Sequence, residues 1–433
     1  MLEHSLRDGR VRRLRDEADD LRGAVGGERV DRIEHRDRAD LLGEVAAADA
    51  HVHVNEPGRT EWEGFETVTK AAAAGGVTTI IDMPLNSIPS TVTVPALELK
   101  RRYAQRNAFV DIGFWGGAVP GNRGDLAPLW GEGVFGFKCF LAPSGVDEFP
   151  PLTPQELGED LEELAALDAT MIVHAEDEGA LENAPGDVGR EYSSYLASRP
   201  RGAENLAIAE VIEQSRRTGA RTHVLHVSSS DALRMLKSAQ ADGVDITAET
   251  CPHYLTLVAE DIPDGATAFK CAPPIREGAN QDILWEGLLN GTLHDVVSDH
   301  SPSTIELKDL EGGDFGKARG GVSSVQLGLA LVWSEARRRG VGLERVIGWM
   351  SSGPAARVGL RHKGRLEVGF DADLAVFAPE ETFTVDVEEL HHRNRVSPYQ
   401  GKQLTGKVRR TFVRGAQVDF ETPAGKLLRR GEA

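Results

Sequence analysis

An α/β chain arranged as a (β/α)8 TIM-like barrel, with a small accessory β domain built from the chain ends, is the fold predicted from three observations. Short apolar strands alternate with amphipathic stretches along most of the chain, which favours a parallel sheet. Eight such units fit within roughly 250–300 residues, the expected size of a barrel with loop insertions. The character of the sequence then changes at about residue 364. A total of 433 residues, 40% of them hydrophobic, suits one large barrel and a small companion. An open doubly wound sheet would share the alternation, but no Gly-x-Gly-x-x-Gly turn follows any strand.

The expected barrel strands, in order, are 46–54, 78–82, 111–115, 135–141, 171–174, 222–226, 245–249 and 295–299. Between them, 65–74, 154–167, 203–218 and 231–241 read as amphipathic helices. Residues 364–377 read as a turn entering a strand, and 406–413 with 416–420 as a hairpin hinged on Arg414-Gly415. The division predicted is therefore 1–48 as a divergent half of the small domain, 49–363 as the barrel and 364–433 as the other half.

Charge and composition exclude several functions. A formal net charge of −19 argues against nucleic acid and anionic membranes as partners. No run approaches the 18 or so uninterrupted apolar residues of a membrane span. The start, Met1-Leu2-Glu3-His4, lacks the apolar segment of a secretory signal. Three cysteines (Cys139, Cys251 and Cys271), none in a CxxC pair, fit a reducing cytoplasm.

The strongest chemical signal is Asp49-Ala50-His51-Val52-His53. Alternation along a strand points His51 and His53 to the same side, where two imidazoles can hold one ion. Alone, the motif could equally be two histidines that happen to alternate. However, His174 closes 171–173, His226 closes 222–225 and Asp299 closes 296–298. Each falls at the C-terminal end of a predicted barrel strand, the face on which such barrels carry their active sites.

Lys138 lies in the otherwise apolar run Phe135-Gly136-Phe137-Lys138-Cys139-Phe140, in a chain with only eleven lysines. It could snorkel from the strand end or pair with a carboxylate. Alternatively, its amine, made neutral by burial, adds carbon dioxide and becomes a carbamate whose two oxygens can bridge two metals. Charge favours the second reading: two divalent ions need anions, and four histidines supply none.

Together these residues resemble the binuclear amidohydrolase superfamily. The likeness runs from about Asp49 to about Val418 and is closest to allantoinases, alongside dihydropyrimidinases, hydantoinases and dihydroorotases. It is carried by His51-Val52-His53-Val54-Asn55-Glu56-Pro57-Gly58-Arg59, Asp82-Met83-Pro84-Leu85-Asn86, Gly136-Phe137-Lys138-Cys139-Phe140 and Glu249-Thr250-Cys251-Pro252-His253-Tyr254. Lys270-Cys271-Ala272-Pro273-Pro274-Ile275-Arg276, Ser298-Asp299-His300-Ser301-Pro302 and Val396-Ser397-Pro398-Tyr399 complete it. The resemblance implies that His51, His53 and Asp299 hold the more buried metal and His174 and His226 the other, with carbamylated Lys138 bridging. It further implies a metal-bridging hydroxide that attacks a ring amide, Asp299 as base and then acid, and a homotetramer. The native ion would be zinc, with cobalt, iron or manganese also suited to the N/O site.

The implied reaction is opening of the allantoin ring to allantoate in purine catabolism. Dihydroorotases carry Arg two residues after the second His; here Asn55 stands there and cannot form that bidentate ion pair with a substrate carboxylate. Asn55, Asn86 and Ser301 are candidate hydrogen-bonding partners for a neutral ring, unless they merely cap loops. The Ala272 segment offers backbone groups. A hydantoinase or dihydropyrimidinase acting on another cyclic amide is the alternative. A metal-free scaffold relative is remote, because all six ligand-type residues are present. Cys251 and His253 read as structural, the ligand set being full without them.

Before residue 49 the resemblance fails. Relatives usually begin with small-domain strands, whereas the first 48 residues here hold ten arginines and no lysine. Either this is a divergent small-domain half or the start region is altered. Such charge density buries too little apolar area to order a chain, so much of 10–45 is expected to be irregular.

Overall fold

The computed structural model describes residues 42–432. Strand β1 (Leu42–Val45) leads directly into β2 (Ala47–Val52), the first strand of a parallel barrel. The barrel continues through β3 (Val77–Asp82) and a third strand broken at Trp115 into β4 (Asp111–Phe114) and β5 (Gly116–Gly117). It is completed by β6 (Phe137–Phe140), β7 (Thr170–His174), β8 (Arg221–Val224), β9 (Ile246–Thr250) and β10 (Asp295–Val296). Every pairing around it is parallel, in chain order. The ring closes where His300 bridges Val52 on one side and Val322 on the other, with His53 N donating to His300 O at 2.8 Å.

The eight strands overlap the stretches expected from alternation, though that over 46–54 stops at Val52, that over 135–141 begins at Phe137, and two more end early at the rim. The strand expected over 222–226 stops at Val224, and that over 295–299 stops at Val296. At both places the chain leaves the ladder through a left-handed residue, His226 (φ 35°) and Asp299 (φ 44°). These turns re-aim the two side chains across the barrel mouth.

Period-two burial separates the layers. On β6, Phe137 and Cys139 join the cluster that packs strands against helices, while Phe140 joins a second cluster with Ile81, Trp115, Phe135 and Ile172. The helix Pro154–Leu167 shows how local sequence sets an element's ends. Thr153 caps its start reciprocally with Glu156, and left-handed Asp168 ends it. No helix among the described residues is long and apolar enough to cross a membrane.

The small sheet is antiparallel, in the order β1, β11 (Leu374–Thr384), β12 (Gln403–Val413) and β13 (Ala416–Gln417). Arg414 and Gly415 both adopt positive φ, 50° and 79°, the turn whose twist suits a two-residue hairpin. A buried charge cluster ties this sheet to the barrel base. Lys363 Nζ lies 2.7 Å from Asp111, at the start of β4, and 2.9 Å from both Asp371 and Asp373, which precede β11. Arg414 pairs with Asp111 as well. Most of the stretch expected to be irregular, 10–41, lies outside the described residues. Its last four residues form β1, in register with Leu374–Phe377.

Candidate metal centre

The C-terminal ends of the barrel strands surround a cavity of about 440 Å³, whose wall includes His53, Lys138, His174, His226 and Asp299. His51, wholly buried, reaches the same place from β2: its Nε2 lies 3.1 Å from Asp299 Oδ1, and His53 Nε2 lies 3.4 Å from that oxygen. His51 Nε2 nevertheless has no hydrogen-bond partner among the described residues, because the approach lacks the alignment a hydrogen bond needs. Adjacent tetrahedral ligands around a zinc-like ion sit about 3.3 Å apart at bond lengths of about 2.0–2.1 Å. A second pair faces inward nearby, His174 Nδ1 and His226 Nε2, 3.0 Å apart. Ligand atoms of His51, His226 and Asp299 all lie within 4.8 Å of one another. The donor set therefore fits a metal centre.

Lys138 belongs to both groups electrically. Its charge depresses His53 in the first and His174 and His226 in the second, after the larger effect of burial. Its Nζ has no hydrogen-bond or ion-pair partner among the described residues and rests 4.7 Å from the Phe140 ring centre. Burial lowers its pKa to about 8, against the opposing pull of Asp299 and Glu249.

The remaining charges act unequally on the donors: burial would lower His51, but Asp299 and Glu249 raise it to about 9, so a cation at its Nε2 must displace a proton. Burial holds His53 at about 4, hence neutral with a free lone pair. Burial would raise the pKa of Asp299, but His51, His53 and His226 hold it well below the usual carboxylate range. Burial likewise opposes ionisation of Glu249, yet His51 and His223 bring it to about 2. Glu249 accounts for how His51 is aimed: it binds His51 Nδ1 at 2.5 Å and His223 Nε2 at 3.0 Å, leaving His51 Nε2 for the cavity. Glu176 does the same for His174, binding Nε2 at 2.7 Å while itself clasped by Arg199. Neither carboxylate was assigned a role from sequence. The available signals were a glutamate at a strand end and one two residues beyond a strand-end histidine.

The expected substrate contacts divide. Asn86, Ala272 and Ser301 line the cavity. Asn86 also approaches His53 Nδ1 at 3.4 Å, which leaves Nε2 facing Asp299. Asn55 is not part of the wall: it is fully buried, with φ 69°, and its amide approaches Pro302 O at 3.4 Å from behind. The loop after the last strand covers one side, with Arg319 and Gly321 in the wall. Buried Lys308 holds that loop through the carbonyls of Arg319 and Gly321. Gly321 is required there, since a Cβ would fall 1.9 Å from Ser301 O. Trp62 lies at the wall with the Arg59 and Arg319 guanidiniums each 5.0 Å from its ring centre.

Comparison with known proteins agrees with this architecture. Residues 45–418 match the Amidohydrolase family. The chain is 57% identical over 386 residues to an allantoinase of Streptomyces avermitilis, covering 88% of this chain and 86% of that protein. It is 46% identical to the allantoinase of Saccharomyces cerevisiae, with 88% and 84% covered, and 46% identical to that of Arabidopsis thaliana, with 86% and 76% covered. Among solved structures, the L-hydantoinase (dihydropyrimidinase) of Arthrobacter aurescens superposes with a TM-score of 0.86 at 31% identity, over 90% of this chain and 89% of that one. Barrel, rim and relatives agree: the chain belongs to the amidohydrolase family.

Proposed function

We infer that this protein is a metal-dependent hydrolase that opens the hydantoin ring of allantoin to give allantoate, a step of purine catabolism. The observation carrying the hydrolytic reading is the pair of donor groups, His51, His53 and Asp299 with His174 and His226, set around partnerless Lys138 in one cavity. The ring substrate follows from the bacterial, yeast and plant relatives, which are allantoinases.

His51, His53 and Asp299 would hold one divalent ion and His174 and His226 the other. Zinc suits this set, as do cobalt, iron and manganese. Bound there, two such ions would lower the pKa of water and polarise the scissile carbonyl. Lys138 would join them as a carbamate: its neutral Nζ bonds to the carbon of carbon dioxide, releases one proton to solvent and presents two oxygens that share one negative charge. Four neutral imidazoles bring no charge, so the carbamate and Asp299 supply the neutralising anions. Asp299 would take the proton of the attacking water and deliver it to the ring nitrogen as the C–N bond breaks. Asn86, Ser301 and the Ala272 backbone, which line the cavity, would bind the ring and its ureido arm. Asn55, whose amide approaches Pro302 O, would act on the ring through that wall residue.

Turnover of allantoin by the purified holoenzyme, with detection of allantoate and metal analysis, tests this. Hydantoin and dihydrouracil run in parallel, because the likeness to a hydantoinase favours those rings as the second reading. Comparable turnover of either would shift the assignment to that reading. The three buried free thiols suit a reducing cytoplasm. A homotetramer is the assembly expected for the family likeness, and sedimentation of the holoenzyme tests it.

A further inference from the structure

A second cluster of ligand-type atoms shares Asp299 with the rim. Cys251 follows β9, and His253 lies in the short helix Pro252–Thr256 that comes next. One ligand atom from each of Cys251, His253 and Asp299 lies within 4.8 Å of the others. Both His253 ring nitrogens are buried without a hydrogen-bond partner among the described residues, and the residue is 0% exposed. An imidazole so placed is costly unless something satisfies it. Its neighbour Tyr254 cannot, since that ring packs edge-on at 4.2 Å and its hydroxyl donates to Pro273 O. Asp299 has an oxygen to spare, because both short approaches from His51 and His53 are to Oδ1.

We propose that Cys251, His253 and Asp299 form a separate cation site for a thiophilic divalent ion, distinct from the rim donors and coupled to them through Asp299. The rim offers nitrogen and oxygen only. This set adds a sulfur, which selects softer ions such as cadmium, mercury or surplus zinc. Binding breaks the Cys251 S–H bond, forms a sulfur–metal bond and releases the proton to solvent. An ion held there would occupy the second Asp299 oxygen and lower the basicity of the carboxylate, so occupancy inhibits without competing with substrate.

The test is titration of cadmium into holoenzyme that carries its full native metal. The expected result is one additional ion per chain, counted by elemental analysis, with a thiolate-to-cadmium charge-transfer absorption. Both should vanish in Cys251→Ser, which keeps native metal and turnover, and both should persist in Cys139→Ser and Cys271→Ser. His253→Asn should weaken cadmium binding by at least about tenfold. Exchange of cadmium for native metal without the absorption would overturn the proposal. So would absorption that survives Cys251→Ser, or that is lost in Cys271→Ser instead. These readouts do not depend on the reaction. The inhibition does rest on the role given to Asp299: full turnover with the extra ion bound would leave the site standing and remove that role.

Discussion

Lys138 and Lys363 are buried to nearly the same degree, 1% and 4% exposed, and their surroundings are opposites. At the barrel base, Lys363 meets three carboxylates, and Arg414 shares one of them. Burial would lower the pKa of Lys363, but Asp111 and Asp373 raise it far above its ordinary 10.5. At the rim, Lys138 meets an aromatic ring and histidines, and burial prevails. The chain thus cancels its own charges where it needs rigidity. Where it leaves donors uncancelled, it leaves capacity for something brought in from solution.

The sharpest way to break this contrast is Lys138→Ala. Turnover should fall by at least about a thousandfold, about 4 kcal/mol of transition-state stabilisation, and bound metal should be lost. Stripped of metal, wild type and variant should unfold at the same temperature, since the amine makes no ion pair. Partial rescue by small carboxylic acids would identify the missing function as two oxygens. An alanine variant of full activity would refute the reading of the rim.

Lys363→Met is the mirror experiment. It strands buried carboxylates and should cost about 3–5 kcal/mol of stability in denaturant titration, while the metal content and turnover of the folded fraction stay unchanged. The pH dependence has a definite sign. A raised lysine pKa means that the folded state holds the proton more tightly. The stabilisation is therefore whole below the ordinary 10.5 and is lost as pH climbs through the elevated folded value. The wild-type and variant unfolding curves should converge only at strongly alkaline pH. Convergence near neutrality would show that the cluster is not what joins sheet to barrel.

Glu249→Gln is the milder probe of the rim. It keeps a hydrogen-bond acceptor for His51 but removes the charge, so metal affinity should fall by about 10–100-fold with the fold intact. Unchanged affinity in a metal-competition assay would mean that His51 needs no bracing.

The strands and the rim were legible because both depend on local rules. Apolar runs between turn residues located the barrel strands, and alternation placed His51 with His53 on one side. A lysine within an apolar run is conspicuous without any partner being known. What was not legible depends on pairs far apart in the chain. Glu249 meets His51 and His223 only because β2, β8 and β9 share one ring. Asn55, two residues beyond His53, is expected from sequence as a substrate contact; its left-handed backbone and its approach to Pro302 O, 247 residues away, are not readable from that spacing. The Lys363 cluster joins a loop, a strand start and the edge of another sheet, and no spacing rule announces it.

The left-handed backbone at His226 and Asp299 has a bearing on how this enzyme can adapt to heat. Neither residue is glycine, and each carries strain of about 1–2 kcal/mol that a side-chain-free residue would relieve. Asp299→Gly would relieve that strain but strand buried His51, 3.1 Å from the lost carboxylate, and should therefore melt at a lower temperature than its parent. The strain at the mouth is thus held in place by the charges it brings together, and heat tolerance is more readily gained elsewhere in the chain.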